Sequence, residues 1–174
     1  MDNAVDSAAL SITFWGAVCD LHEETVITTI FMHQGVVYGG ALRDIVAGQN
    51  INDLDIVVSV KYADSLHRYL TNLGYTPTPK PDNATILWTK IGHLPIESYV
   101  VEDDPATTCI GPEADPDFDV NLLRWDGKSV IRWTDCGDAA SVVDAIRSKR
   151  ATRIGENVQQ HRIDKIVARG YSVV

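Results

Sequence analysis

Asp53 and Asp55, separated by one leucine, open the run DLDIVVSV, whose β-branched content predicts a strand. On a strand, residues i and i+2 share a face, so the two carboxylates stand side by side while Leu54 and Ile56 point the other way. Like charges this close resist ionisation, and a divalent cation relieves that repulsion. Mg²⁺ takes hard oxygen ligands and commonly combines one or two carboxylates with substrate phosphates. Two such ions about 4 Å apart can stabilise the attacking and leaving oxygens of a phosphoryl displacement. Upstream, Gly39 and Gly40 separate an apolar strand, GVVY, from a short helical stretch, ALRDIVAG, that closes on Gly48. Glycines at that junction permit positive φ and a close backbone approach. The helix start offers unpaired N–H groups to a phosphate, and Arg43 on its first turn can grip one with two N–H bonds. A phosphate grip and a metal-holding face therefore converge on one sheet edge.

The whole stretch GGALRDIVAGQNINDLDIVV, Gly39 to Val58, resembles the head-domain signature of the transfer-RNA CCA-adding enzymes and bacterial poly(A) polymerases, within the polymerase-β-like nucleotidyltransferase superfamily. That signature reads GG, two residues, RD, a short helix ending in Gly, then DxD. A second segment, DFDVNLL from Asp117 to Leu123, resembles the strand the family writes RDFTINAL. Read as a strand, it puts Asp117, Asp119 and Asn121 on one face. The resemblance implies an α+β fold, with a mixed central sheet flanked by helices and a short C-terminal helical neck remnant. It also implies a head domain over 1–136 and a neck-like extension over 137–174. The implied activity is transfer of a nucleoside monophosphate from a nucleoside triphosphate to an acceptor hydroxyl, with release of pyrophosphate. Catalysis falls to Asp53, Asp55 and Asp117, with Asp119 and Glu97 as other candidates for the third carboxylate. Nucleotide binding falls to Gly39, Gly40 and Arg43, and Mg²⁺ binding to Asp53 and Asp55.

The match runs from about 35 to 132 and departs from the family in places. The arginine pair that precedes the DFT aspartate is Asp115-Pro116 here. In the base-reading pattern Glu-Asp-x-x-Arg, Glu156 is kept, but Asn157 and Gln160 replace the Asp and Arg. Arg162, Lys165 and Arg169 follow on the same predicted helix and could face a triphosphate.

Positioning these residues requires a particular order of elements. Apolar spacing at Leu10, Phe14, Val18 and Leu21 predicts helix over 7–32, broken near His22. After the glycine-rich turn, the helix and the DLD strand, YADSLHRYLTNLGY predicts an amphipathic helix ended by Gly74. TPTPKPDN reads as a Pro-rich loop. ATILWTKIG and LPIESYVV read as strands joined near Gly92-His93. An acidic connector, a flap or surface loop, precedes a hairpin turning at Asp126-Gly127 with a type I′ signal. Helices are predicted at 138–149 and 155–168. Strands near Val36, Ile56 and Val120 are expected at the centre of the sheet.

The chain has 174 residues, 45% of them hydrophobic and 22% charged, with a formal net charge of −9. This is globular composition, not that of a disordered chain. The acidic balance opposes wrapping a duplex or a long RNA, which needs clustered Lys and Arg. A small basic pocket for one nucleotide remains compatible. The acceptor could be an RNA 3′ end, which fits the resemblance, or a small molecule or protein side chain, which fits the charge. A non-catalytic nucleotide-binding or interaction module is the alternative. Cys19, Cys109 and Cys136 form no close pair and read as reduced thiols in a cytoplasmic compartment. The five histidines lack zinc-ligand spacing. The N-terminus shows no basic signal segment, and no apolar run nears the ~18 residues of a membrane span. Dimerisation over the neck helix is compatible with the sequence.

Overall fold

A computed structural model describes residues 6–21, 23–82, 84–105 and 117–174. Helices α1 (Ser7–Asp20) and α2 (Glu24–Met32) lead into strand β1 (Val36–Tyr38), helix α3 (Gly40–Val46), strand β2 (Leu54–Ser59) and helix α4 (Val60–Asn72). Strands β3 (Thr76–Pro79), β4 (Thr85–Thr89) and β5 (Ile96–Val101) follow, then a 3-10 turn over Asp119–Asn121 and the hairpin β6 (Leu123–Trp125) and β7 (Val130–Arg132). Helix α5 (Ala140–Arg147), β8 (Arg150–Ala151), α6 (Gln160–Ala168) and β9 (Ser172–Val173) complete the described elements.

The seven-stranded sheet runs β3-β4-β5-β2-β1-β6-β7, and β8 and β9 form a separate parallel pair. Within the large sheet β2 and β5 are parallel and the other neighbours antiparallel. This is the expected α+β architecture with a mixed sheet. Alternation along β2 explains its two-sided burial. Leu54, Ile56 and Val58 enter the main core with Phe14, Ile27, Leu42, Leu66 and Ile96. Val57 joins Val36 and Trp133 in a smaller cluster on the opposite face. Asp55 shares that second face. Among the described residues no helix is long and apolar enough to cross a membrane.

Helix α1 starts where Asp6 accepts the Ala8 and Ala9 amides, a side-chain N-cap. It is tied to the hairpin through an aromatic cluster. Trp125 packs edge-on against Phe14, Trp15 and Phe31, with centroids 5.4, 5.1 and 4.9 Å away. Its indole N–H donates to Ser11 Oγ at 2.9 Å, and the Trp15 indole donates to the Gly127 carbonyl at 2.9 Å. These bonds satisfy the polar edges of rings that otherwise fill the core.

Several expectations are corrected. TPTP is an edge strand rather than a loop. Thr76 and Thr78 share one parity and Pro77 and Pro79 the other, so the two residues without an N–H face away from β4. Phe118–Leu122 is not a strand, and Val120 sits in the 3-10 turn rather than at the sheet centre. The turn at Asp126 is not type I′. Only Gly127 has positive φ, at 90°, and the Asp126 carboxylate instead accepts the Lys128 and Ser129 amides in a four-residue loop. Helix α6 begins at Gln160, so Glu156 and Asn157 precede it. Cys136 is disulfide-bonded, which removes the reduced-thiol argument at that position, whereas Cys19 is free. His22, Cys109 and the centre of the acidic connector lie outside the described residues.

Gly127 locks the hairpin beneath α2. A Cβ built there would lie 2.5 Å from Phe31 Cδ2, in a backbone conformation that L residues rarely adopt. Gly127→Ala is expected to destabilise the chain by roughly 3 kcal/mol, read as a lower urea midpoint at an unchanged slope.

Candidate active site

The site is built from the ends of four elements. β1 ends at Tyr38, and the chain turns through Gly39, with φ 74° and ψ −133°, into α3. Only glycine adopts that conformation without strain. A Cβ on Gly39 would stand 3.6 Å from Asp55 Oδ2, so the turn passes directly over this carboxylate. Asp55 itself is the second residue of β2, and Asp53 immediately precedes the strand.

Sheet register extends the carboxylate group sideways. Tyr38 pairs with Asp55 on one side and Glu97 pairs with it on the other. Among the described residues no donor is hydrogen-bonded to the Asp55 carboxylate. Burial pushes the Asp55 carboxyl up to about 7, with further increases from the negative charges of Asp53 and Glu97. Lys165 and Lys80 oppose that rise. Burial also holds the Tyr38 phenol well above its ordinary range, assisted by Asp55 and Glu97.

Gly40, Arg43, Asp53, Asp55 and Asp117 line one cleft, together with Asp44, Phe118, Asn121, the α6 residues Arg162, Lys165 and Ile166, and Arg169 at the α6 C-cap. Most of the residues singled out from the sequence are thereby brought together. Gly39 is not among the lining residues, although a Cβ there would stand 3.6 Å from Asp55 Oδ2. Asp119 does not line it, because its Oδ1 accepts the Thr152 amide at 2.8 Å. Glu97 is absent from the lining and pairs with Lys80 at 2.6 Å. Asp117 faces Arg162 at 3.6 Å. Asp115 and Pro116 lie outside the described residues.

Arg43 is engaged differently from a free phosphate grip. It is buried, and its Nε and Nη2 donate to Asp44 Oδ1 at 2.8 and 2.7 Å. Its Nη1 donates to Asn121 Oδ1 at 2.7 Å. The guanidinium thus braces α3 against the 3-10 turn while lining the cleft beside Gly40, with two N–H groups not used in these bonds.

Sequence reasoning missed Asp44 and Lys80 as partners. Asp44 carried a signal, since RD places an acid beside a buried arginine. Lys80 lay in what read as a loop.

The α6 cations are spaced to share a face. Arg162, Lys165 and Arg169 recur at intervals of three and four, with Ile166 buried beneath them. They stand opposite Asp117, Asp55 and Asp44. The cavity between measures about 90 Å³, well under the ~300 Å³ of a small ligand pocket. Full enclosure of a nucleotide would therefore need α6 to move outward.

The donor set fits a hard cation. Asp53 and Asp55 offer carboxylate oxygens at one end of the cleft, and the second lacks any bonded donor. Among the described residues there is no group of three or more His, Cys, Asp or Glu placed to hold a metal. The arrangement therefore suits an ion shared with ligand phosphates rather than one caged by protein alone.

No protein family matches the chain, and neither does any curated protein. Solved structures do match. A CCA-adding enzyme in apo form II aligns with TM-score 0.59 and 15% identity, covering 90% of this chain and 44% of that one. The Thermotoga maritima CCA-adding enzyme complexed with tRNA aligns with TM-score 0.58 and 14% identity, covering 90% and 42%. A CCA-adding enzyme in complex with ATP aligns with TM-score 0.51 and 18% identity, covering 77% and 34%. The chain shares its fold with the matched part of these CCA-adding enzymes. It spans less than half the length of these enzymes.

Asp55 has a raised folded pKa, so the unfolded chain loses this proton first as pH rises. Stability is therefore lost progressively from about pH 4 to about pH 7 and then levels off. In chelator, Asp55→Asn is expected to be more stable than the parent by roughly 2 kcal/mol at pH 8, with the gap closing near pH 4. Urea denaturation at the two pH values measures it.

Proposed function

We propose that the chain is a nucleotidyltransferase that moves a nucleoside monophosphate from a nucleoside triphosphate to an acceptor hydroxyl. The observation that carries this reading is the Asp53–Asp55 pair at the end of β2, beneath a glycine turn and opposite a row of cations. The CCA-adding-enzyme fold supports it. Asp53 and Asp55 would hold Mg²⁺. When bound, that ion neutralises phosphate charge and helps activate an attacking oxygen. Gly39 and Gly40 let the triphosphate approach the backbone closely, and Arg43, Arg162 and Lys165 pair with its oxygens. Asp117, freed from Arg162, accepts the acceptor hydroxyl proton. The acceptor oxygen bonds to the α-phosphorus, the bond from that phosphorus to the bridging oxygen breaks, and pyrophosphate leaves with its electron pair. Electrostatics and positioning carry such a step.

Solved structures of the same fold contain CTP, ATP or tRNA. An RNA 3′ end is the acceptor we infer. The net charge of −9 limits the contact to the terminal nucleotides.

A second reading, a nucleotide-binding module without catalysis, is favoured by one observation. The main donors of Arg43 are committed to Asp44 and Asn121.

The two readings separate in a transfer assay with α-labelled triphosphates, Mg²⁺ and tRNA. Label is expected on RNA with the parent chain, and at least a thousandfold less with Asp53→Ala/Asp55→Ala, the loss of ~4 kcal/mol of transition-state stabilisation. Binding of a triphosphate without transfer supports the second reading. Transfer that persists in the double variant contradicts the first.

A further inference from the structure

A continuous chain of polar contacts links the end of α6 through α3 to the 3-10 turn. Arg169 Nη1 bonds Asp44 Oδ2 at 2.8 Å, while the other oxygen of Asp44 receives Arg43 Nε and Nη2. Arg43 Nη1 continues the chain to Asn121 at 2.7 Å. Asp44 is 2% exposed, so its carboxylate depends on these two arginines for compensation.

The tail is gripped at that point from both sides. Arg169 Nη1 also donates to the Asn50 carbonyl at 3.0 Å, and Gln49 Nε2 donates to the Arg169 carbonyl at 3.0 Å. Gln49 and Asn50 follow α3, so the segment after α3 holds Arg169 by side chain and main chain together. Beside it the Tyr171 ring is buried, and the Lys149 ammonium lies over it at 4.5 Å. The α6 terminus is therefore built into the support of α3 rather than draped over it.

A guanidinium is a rigid planar fork, so fixing one edge fixes the direction of the others. Asp44 fixes that edge of Arg43, and Arg169 fixes Asp44. We propose that Arg169 is a positioning residue, which aims the free N–H groups of Arg43 at a ligand phosphate by pinning Asp44 from the far side. This rests on the nucleotide reading of the cleft. It gives the end of α6 a role distinct from that of Arg162 and Lys165: Arg169 lines the cleft too, but its Nη1 is engaged by Asp44 and the Asn50 carbonyl.

Two readouts test it on the full chain. One is hydrogen exchange of the Arg43 Nε–H, observed by ¹⁵N NMR and assigned by its loss in Arg43→Lys. The other is the dissociation constant for tripolyphosphate with Mg²⁺. In Arg169→Met, exchange at Arg43 is expected to quicken at least tenfold and tripolyphosphate binding to weaken about tenfold (~1.4 kcal/mol). Arg169→Lys, which keeps the charge but not the fork, should fall between, and it serves alone if the Met variant does not fold. Lys165→Met should weaken binding and leave Arg43 exchange unchanged.

Weaker binding in Arg169→Met with unchanged Arg43 exchange makes Arg169 a direct ligand and overturns the proposal. Faster exchange with unchanged binding overturns it too. A parent chain that does not bind tripolyphosphate overturns the nucleotide reading and the phosphate role of Arg169 with it. The exchange response then still shows whether the brace exists.

Discussion

The structure holds a half-buried carboxylate beside two others and gives its oxygens no bonded donor among the described residues. Asp55 lies on the second face of the sheet, with Asp53 just before it along the chain and Glu97 abreast on β5. In a fold selected for stability alone, apolar residues at this position would be less costly than crowded charge. The surroundings make the crowding tolerable. Lys80 neutralises Glu97, Lys165 faces Asp55 from α6, and the glycine turn leaves open space above the carboxylate. The arrangement suits a site whose missing charge arrives with a ligand.

The same logic organises the arginines. Arg43 and Asp44 are adjacent in sequence and both buried, so each must be compensated locally. Asn121 and Arg169 provide that compensation from the 3-10 turn and the α6 terminus. The cleft is thus bounded by two linked systems. One is a carboxylate group on the sheet. The other is an arginine–aspartate brace that ties α3 to the C-terminal segment. They meet beside Gly40, where a Cβ would stand in ordinary contact with the Arg43 fork, 3.5 Å from Nη2.

Most of the fold and much of the cleft could be read from residue types and spacing. The β-branched run after Asp53, the helix spacing of ALRDIVAG and the Gly74 stop each report a local preference that tertiary packing reinforced. The readings that failed were those in which tertiary context outweighed local pattern. Phe118 and Val120 alternate with polar residues as a strand would, yet that segment makes a single bridge to Arg153 and then a 3-10 turn. Asn121 consequently meets Arg43 instead of lying on a strand face beside Asp117. Pro77 and Pro79 read as breakers because parity at a sheet edge has no signature in a short segment. The Arg169–Asp44 pair spans 125 positions, as 169 minus 44, and no local pattern predicts it.

The central claim is that Asp53 and Asp55 form a cation site completed by triphosphate. Electron paramagnetic resonance of Mn²⁺, titrated against the chain with a non-hydrolysable nucleoside triphosphate, tests it most directly. Bound Mn²⁺ in the ternary mixture, lost in Asp53→Ala/Asp55→Ala, is the predicted result. Equal Mn²⁺ binding by the parent and the double variant contradicts it.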